Sequence, residues 1–346
     1  MTPVVLLLFR NATAQSSQNT SKSGINHFHR FARLYIGSKF HPLPNEEISL
    51  KGLLLSFFTA TLFAHPREFQ YSTIQNYVSH VRASWLAAGA PLLPFDAKII
   101  RRLLSGVRIL RPRRPDTRMA FLLPHLTPPP IFSLPLSTDH LLFKAAVIFG
   151  FFGMLRYGSL AKLSPQAVTL VSRAGTEYTN VQWNAPRLAE YISCNEIIGF
   201  YVKFRAKYHP NARAYYCTFK DLPERWAAMC PLSTLAELAR AGLLNGNSIF
   251  PPKRVTAPTL TKYLLTFTGT RPNFAPHSLR IGGHTFYSLQ NMHDDFIHFL
   301  GRRKISRVSQ LYYRANAVDN IKRLYTFFKS MESEPPYMRG LYAAPQ

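Results

Sequence analysis

Apolar residues fall into helical spacing from about residue 45 onward, and only rarely into strict alternation. In STIQNYVSHVRASWLAAG, Ile74, Tyr77, Val78, Val81 and Trp85 recur at i, i+3, i+4, i+7 and i+11, which makes one apolar stripe on a helix. Ser72 is the candidate N-cap of that helix and Gly89 its stop. FDAKIIRRLLSGVRIL repeats the device. Asp96 can cap, Ile99, Ile100, Leu103, Leu104 and Val107 form the packing face, and Lys98, Arg101, Arg102 and Arg108 fall mainly on the other side. Residues 45–110 therefore predict a small helical domain with a basic flank. Residues 1–44 are rich in Ser, Asn and Thr, show no periodicity, and are expected to form a flexible basic arm.

The pattern breaks at RPRRPDTRMAFLLPHLTPPPIFSLPLSTD. Prolines remove backbone donors and interrupt helices, so residues 111–136 read as an extended connector. Beyond it, Ser137 to Asp139 can cap HLLFKAAVIFGFFGMLRYGSLAKL, which is apolar nearly all round and so predicts a buried helix. AVTLVSRAGTEYTNVQW is a hairpin signal, two β-rich runs flanking a turn with Gly175. After it the chain is expected to return to helices. The last of these, NAVDNIKRLYTFFKSM, sets Ile321, Leu324, Tyr325, Phe328 and Met331 on one face, which can dock on its own domain or on a neighbouring protomer. The fold class is thus mainly α with a small antiparallel β-sheet or hairpin. A second domain spans 137–333 and a tail covers 334–346.

Composition adds one strong constraint. A chain of 346 residues suits two domains, and 47% apolar with 13% aromatic residues is enough to build their cores. Charge is unusual: 42 Lys and Arg stand against 17 Asp and Glu, a formal net charge of +25. Such an excess repels itself unless an anionic partner shares the surface, and nucleic acid is the commonest such partner. No apolar run approaches the roughly 20 residues that span a bilayer, so no membrane role is expected. Cys194, Cys217 and Cys230 lie far apart with no CxxC pair, which argues against a disulfide framework or zinc ribbon and fits a reducing compartment. The apolar patch Val4 to Phe9 has no positive region before it, so no secretory signal is expected. The acid-free first 45 residues leave an organellar transit peptide open as an alternative.

Several basic and aromatic residues are candidates for chemistry. Between His140 and Arg156, Lys144 is the only charge, so Arg156 on the predicted buried helix needs an anion: an internal carboxylate or a phosphate. His277 and Arg280 stand three apart just after Pro276, at a helix start where dipole and backbone N–H groups favour a phosphate. Two guanidiniums on one phosphodiester would give bidentate hydrogen bonds and offset charge developing at phosphorus. A phenol could then attack and conserve the bond energy in a phosphotyrosyl link. The carboxylates are scattered, with Asp294–Asp295 an isolated pair, so neither a metal nor another cofactor is expected.

LRYGSLAKL, HSLRIGGHTF and LGRRKISRVSQLYYR, in that order, resemble the three boxes of the tyrosine recombinase (phage-integrase) family, in a form similar to DIRS-like and Crypton-like mobile elements. The spacings agree, with 124 residues from Arg156 to Arg280 and 32 from Arg280 to Tyr312. The resemblance covers about residues 45–330 and implies an N-terminal helical core-binding domain of SAM-like form, followed by an α+β catalytic domain of the DNA breaking-rejoining type. It implies that Arg156 and Arg280 bind the phosphate, that His277 assists as acid, base or donor, and that Tyr312 is the nucleophile with Tyr313 as its competitor. Where the family places His or Trp in the third box, just after the glycine or one residue later, this chain has Arg302 and Arg303, either of which can still hydrogen-bond a phosphate oxygen; Arg303 stands at the Trp position. Where the family places a hairpin lysine, the neighbourhood offers Asn184 and Arg187, and an arginine is a poor proton donor. The activity implied is site-specific cleavage and rejoining of double-stranded DNA through a 3′-phosphotyrosyl intermediate. The alternatives are a catalytically impaired or domesticated DNA-binding protein and DNA relaxation of the type IB topoisomerase kind. Arg101, Arg102, Arg108, Arg111, Arg113, Arg114 and Arg118 are the expected backbone contacts, the last four as a strap, unless that connector is simply solvated. The family further implies a homo-tetramer in the synaptic complex from a monomer in isolation, and a nuclear location, with RPRRP as a candidate import signal.

Overall fold

The computed structural model describes residues 15–35, 49–89, 91–111, 118–122, 137–183, 192, 196–205, 211–222, 224–266, 273–302 and 316–331. Two compact units divide the chain between Asp116 and Thr117. In the first unit, α1 (Gln15–Tyr35), α2 (Leu50–Phe63), α3 (Tyr71–Ala87) and α4 (Pro94–Leu110) bury Phe31, Leu55, Phe58, Ile74, Val78, Ile100, Leu104 and Val107 between them.

Four details depart from expectation. The span expected to be a flexible arm contains α1, whose Phe28 and Phe31 pack on Phe58 at ring separations of 5.2 and 5.5 Å. Its Ser23 hydroxyl meets the Tyr77 hydroxyl of α3 at 3.1 Å. Packing of Gly24, Phe28 and Phe31 at i, i+4 and i+7 outweighs the weak helix preference of the surrounding Ser, Asn and Thr. The second departure is that Gln70, not Ser72, is the N-cap of α3. The third is that Asp96 caps a different helix: its buried carboxylate accepts from the Ser49 N–H at 3.0 Å and from the Ser49 hydroxyl, and Ser49 in turn caps α2. On α4, Leu103 is exposed and Ile99 half-buried, so these two leave the expected packing face.

The second unit is built around α5 (Thr138–Phe152), capped as expected by Ser137, whose hydroxyl accepts from the His140 N–H at 3.3 Å. A single turn, α6 (Tyr157–Leu160), leads into the hairpin of β1 (Val168–Ser172) and β2 (Glu177–Tyr178), turned through Gly175 at φ 94°. The sheet then gains β3 (Ile197–Phe204) and β4 (Ala212–Cys217), in the antiparallel order β2-β1-β3-β4. Val168 pairs with Val202, and Gly199 with Cys217. The chain after the hairpin was expected to be helical, so β3 and β4 correct that reading. Among the described residues five further α-helices complete the unit: α7 (Pro231–Arg240), α8 (Ala257–Thr266), α9 (Pro276–Leu289), α10 (Asp294–Leu300) and α11 (Ala317–Lys329). The fold class is mainly α with one small antiparallel sheet, as the sequence predicts.

One sheet face packs on α5 through Phe200 and Tyr216, stacked at 4.7 Å, with Phe149 5.0 Å from Tyr216. The opposite face is covered by α11. There Gly199 leaves space for Ile321, since a Cβ would lie 2.9 Å from its Cγ2. The apolar face of α11 thus docks on its own sheet. Residues 118–122, inside the span expected as connector, belong to this unit. The Met119 N–H donates to the Asn273 carbonyl at 3.3 Å and the Phe121 N–H to the Ser278 carbonyl at 3.1 Å, while the Phe121 ring is fully buried. Among the described residues no helix is long and apolar enough to cross a membrane.

Candidate active site

The site begins where α5 stops. The sequence predicts one buried helix running on through Arg156, but α5 ends at Phe152 with Gly153 as its cap. Gly153 has no room for a Cβ, which would overlap the Tyr216 hydroxyl. The Met154 N–H then donates to Phe151 at 3.0 Å and the Leu155 N–H to Gly150 at 2.9 Å, a Schellman closure with Met154 left-handed at φ 44°. A glycine usually fills that conformation, and a methionine there carries strain of about 1 kcal/mol. The turn brings Arg156 to the surface as N-cap of α6. Its guanidinium is exposed, and among the described residues it has no hydrogen-bond or ion-pair partner. Arg156 is therefore a surface cation on a fixed turn, not a charge buried in a helix.

The second motif opens α9. Pro276 takes the first helical position, where a missing N–H costs nothing, and the Ser278 hydroxyl accepts from the Ala275 N–H at 3.1 Å. His277 is half-buried; Arg280, one turn in, is only 6% exposed. Arg280 Nη1 donates to the Met154 carbonyl at 2.6 Å, and Nη2 donates to the Gly301 carbonyl at 2.5 Å. Close approach makes these bonds geometrically available. A Cβ on Gly283 would overlap the Phe151 carbonyl of α5, and one on Gly282 would overlap the Phe121 carbonyl. The glycine pair of the second motif is thus the notch in which α9 crosses the end of α5.

The third motif follows α10. Gly301 is its C-cap, and Arg302 is left-handed at φ 52° with its N–H on the Phe299 carbonyl at 2.9 Å. Arg302, expected to reach a phosphate, instead turns inward and is 7% exposed. Its Nη2 donates to the carbonyls of Gly153 (2.6 Å) and Met154 (2.9 Å), its Nη1 to that of Arg213 (3.3 Å), and its guanidinium lies 5.5 Å from the Phe204 ring centroid. Two guanidiniums therefore share the Met154 carbonyl where the C-termini of α5 and α10 converge. Each helix end carries up to about half a negative charge, which favours cations there. Two phenols complete the arrangement: Tyr216 donates to the Phe149 carbonyl at 3.1 Å and Tyr287 to the Phe152 carbonyl at 2.9 Å. Burial raises the pKa of both phenols above the ordinary tyrosine value, so they act here as donors.

Arg280, in the second motif, thus connects the residue just before the first motif with the start of the third. Arg187, Arg303, Tyr312, Tyr313, Arg113 and Arg114 lie outside the described residues. Of the expected backbone contacts, Arg101, Arg102, Arg108 and Arg118 are exposed. Arg111 is half-buried, donating to the Phe69 carbonyl at 3.1 Å with its guanidinium 4.5 Å from the Phe63 ring centroid, so it also serves the packing of its own unit. Among the described residues no group of three or more His, Cys, Asp or Glu could hold a metal ion. Sequence reasoning passed over Gly282, Gly283, Tyr216 and Tyr287. The adjacent glycines inside a helical motif were the available sign of a close backbone approach, whereas the phenols carried no local signal.

No protein-family profile matches the chain, and no curated protein is similar to it in sequence. Among solved structures, a Flpe mutant–DNA Holliday junction complex is similar at a TM-score of 0.40 and 13% identity, covering 92% of this chain and 85% of that one. The Flpe–Holliday junction complex gives 0.39 and 12%, covering 93% and 85%. The integrase from mycobacterium phage Brujita gives 0.34 and 12%, covering 98% of this chain and 95% of that one. Likenesses of this extent assign neither family nor function.

Proposed function

We propose that the chain is a DNA-cleaving and rejoining enzyme of the tyrosine-recombinase kind. The observation that carries this reading is the pair of bonds from Arg280, to Met154 126 residues before it and to Gly301 21 residues after it. A guanidinium of the second motif that draws the approach to the first motif and the start of the third together is what a site assembled around one phosphodiester requires. Exposed Arg156 binds the phosphate from the surface, Arg280 supplies the second guanidinium, and His277 sits one turn earlier at the start of α9. The Tyr312 hydroxyl then attacks phosphorus: an O–P bond to tyrosine forms, the bond to the 5′ oxygen breaks, and His277 carries the phenol proton. The 5′ oxygen must gain a proton, and Arg187, which keeps its own proton tightly, would supply it poorly. This last step favours a second reading, a DNA clamp of the same fold whose turnover has been lost.

Nuclear location, mobile-element origin and four-protomer synapsis on two duplexes belong to the same proposal. The test is a nicked duplex that releases its short 5′ fragment once cleaved and so traps the adduct. Wild type is expected to give a covalent protein–DNA band, and Tyr312→Phe none. A band from Tyr312→Phe that Tyr313→Phe removes would transfer the nucleophile to Tyr313. Absence of a band in every variant, with duplex binding intact, would leave the clamp reading.

A further inference from the structure

We propose that Arg302 is a positioning residue: it holds the end of α5 in the shape that presents Arg156, and it does not itself touch the phosphate. The inference rests on the reading of Arg156 as a phosphate-binding group. It differs from the expectation attached to the third motif, in which the residue after the glycine serves the phosphate directly.

Three observations carry it. The first is direction. Both terminal nitrogens of Arg302 donate to backbone carbonyls inside the unit, and the group is buried beside Phe204. Arg156, by contrast, is exposed. The second is the identity of the carbonyls. Gly153 and Met154 immediately precede Leu155 and Arg156, so their peptide planes set where the Arg156 side chain starts. Met154 occupies a left-handed conformation that a non-glycine residue disfavours, and two guanidiniums on its carbonyl hold it there. The third is the backbone of Arg302 itself, left-handed at a helix end where glycine is the favoured residue. An arginine in such a place points to a task for its side chain. With Nη1 on Arg213 at the start of β4, the side chain ties three structures together: the sheet, the end of α5 and the end of α10.

Arg302→Gly is the informative variant, because glycine suits the left-handed backbone while the guanidinium is removed. Arg302→Lys keeps a charge but cannot span three carbonyls, and it takes over the same measurements if the glycine variant fails to fold. Four readouts are compared with wild type: adduct rate on saturating nicked duplex, duplex affinity and its salt slope, recovery with guanidinium chloride against equal sodium chloride, and amide exchange across residues 150–157. Misplacing Arg156 by about 1 Å should lower the adduct rate on the order of 100-fold. Affinity and salt slope stay as in wild type, guanidinium restores rate to Arg302→Gly, and exchange at 153–156 quickens while that of β1 does not. A salt slope smaller by about 0.9 would mean that Arg302 is itself a phosphate contact and would overturn the proposal. So would unchanged exchange at the turn. If wild type forms no adduct, the functional reading fails by itself, and the exchange measurement still decides whether Arg302 holds the turn.

Discussion

Gly283 shows how much of this site depends on a missing methyl group. It lies one turn beyond Arg280 on α9, facing the Phe151 carbonyl, and a Cβ there would overlap a backbone atom that cannot rotate away. Gly283→Ala should therefore push α9 off α5, lengthen the bond from Arg280 to Met154 and cost about 1–3 kcal/mol of stability. Gly106 is the natural comparison. It sits in the interior of α4 with nothing within 4 Å of where a Cβ would lie. Gly106→Ala should stabilise the first unit by about 0.5–1 kcal/mol through helix preference alone. Urea unfolding of both variants reads the contrast, and a Gly283→Ala protein as stable as wild type would refute the notch. Residue-level chemistry was only partly readable from the sequence. The position of His277 and Arg280 behind Pro276 came through directly, since proline at the first turn is a local rule. The exposure of Arg156 did not. The apolar run around it continues past Phe152, and the glycine at which the helix stops faces the Tyr216 hydroxyl, a contact between residues 63 apart.

Between elements, the errors in the sequence reading share a cause: a tertiary partner supplied what local pattern did not show. The strand β3 is buried on both faces, between α5 and α11, so its residues IIGFYVKF do not alternate and give no half-buried signature. The helix α1 opens on Ser, Asn and Thr, which favour caps and turns, and is held by aromatic packing against Phe58 and Trp85. Asp96 looked like a cap for its own helix because it stands near the start of that helix, yet its carboxylate reaches Ser49. That misreading makes a prediction. Asp96→Ala should fray the start of α2 while sparing that of α4. The expected loss is about 1–2 kcal/mol, in the upper range for a cap because the group is fully buried. Amide exchange near residues 49–53 should rise well before that near 94–98, and the reverse order would return Asp96 to its own helix. The helices α3, α4, α5 and α11 and the β1–β2 hairpin were readable because each carries its period or its turn residue within its own segment.

For the molecule as a whole, the charge of +25 is the quantity that local structure leaves unexplained. Ion pairs such as Lys144 with Glu237 at 2.8 Å and Arg254 with Asp139 leave it unchanged, because each matches one cation with one anion already counted. Meanwhile Arg101, Arg102 and Arg108 stand exposed on α4. If phosphates are the partner, each cation in contact releases counterions, and the affinity for duplex falls with salt by about 0.9 per contact on logarithmic axes. Replacing Arg101, Arg102 and Arg108 together with Gln should then flatten the slope by up to about 2.7, almost independently of DNA sequence. Arg254→Gln is the control. It also lowers the net charge, but it removes a cation already committed to Asp139 and Thr138, so the slope should hold. The comparison separates a local contact from the bulk field of the protein. If both variants shift the slope in proportion to charge alone, α4 is not a contact surface. If the triple variant loses slope and Arg254→Gln does not, the basic flank of the first unit lies on the backbone. The slope is read by titrating one labelled duplex with each protein at several sodium chloride concentrations.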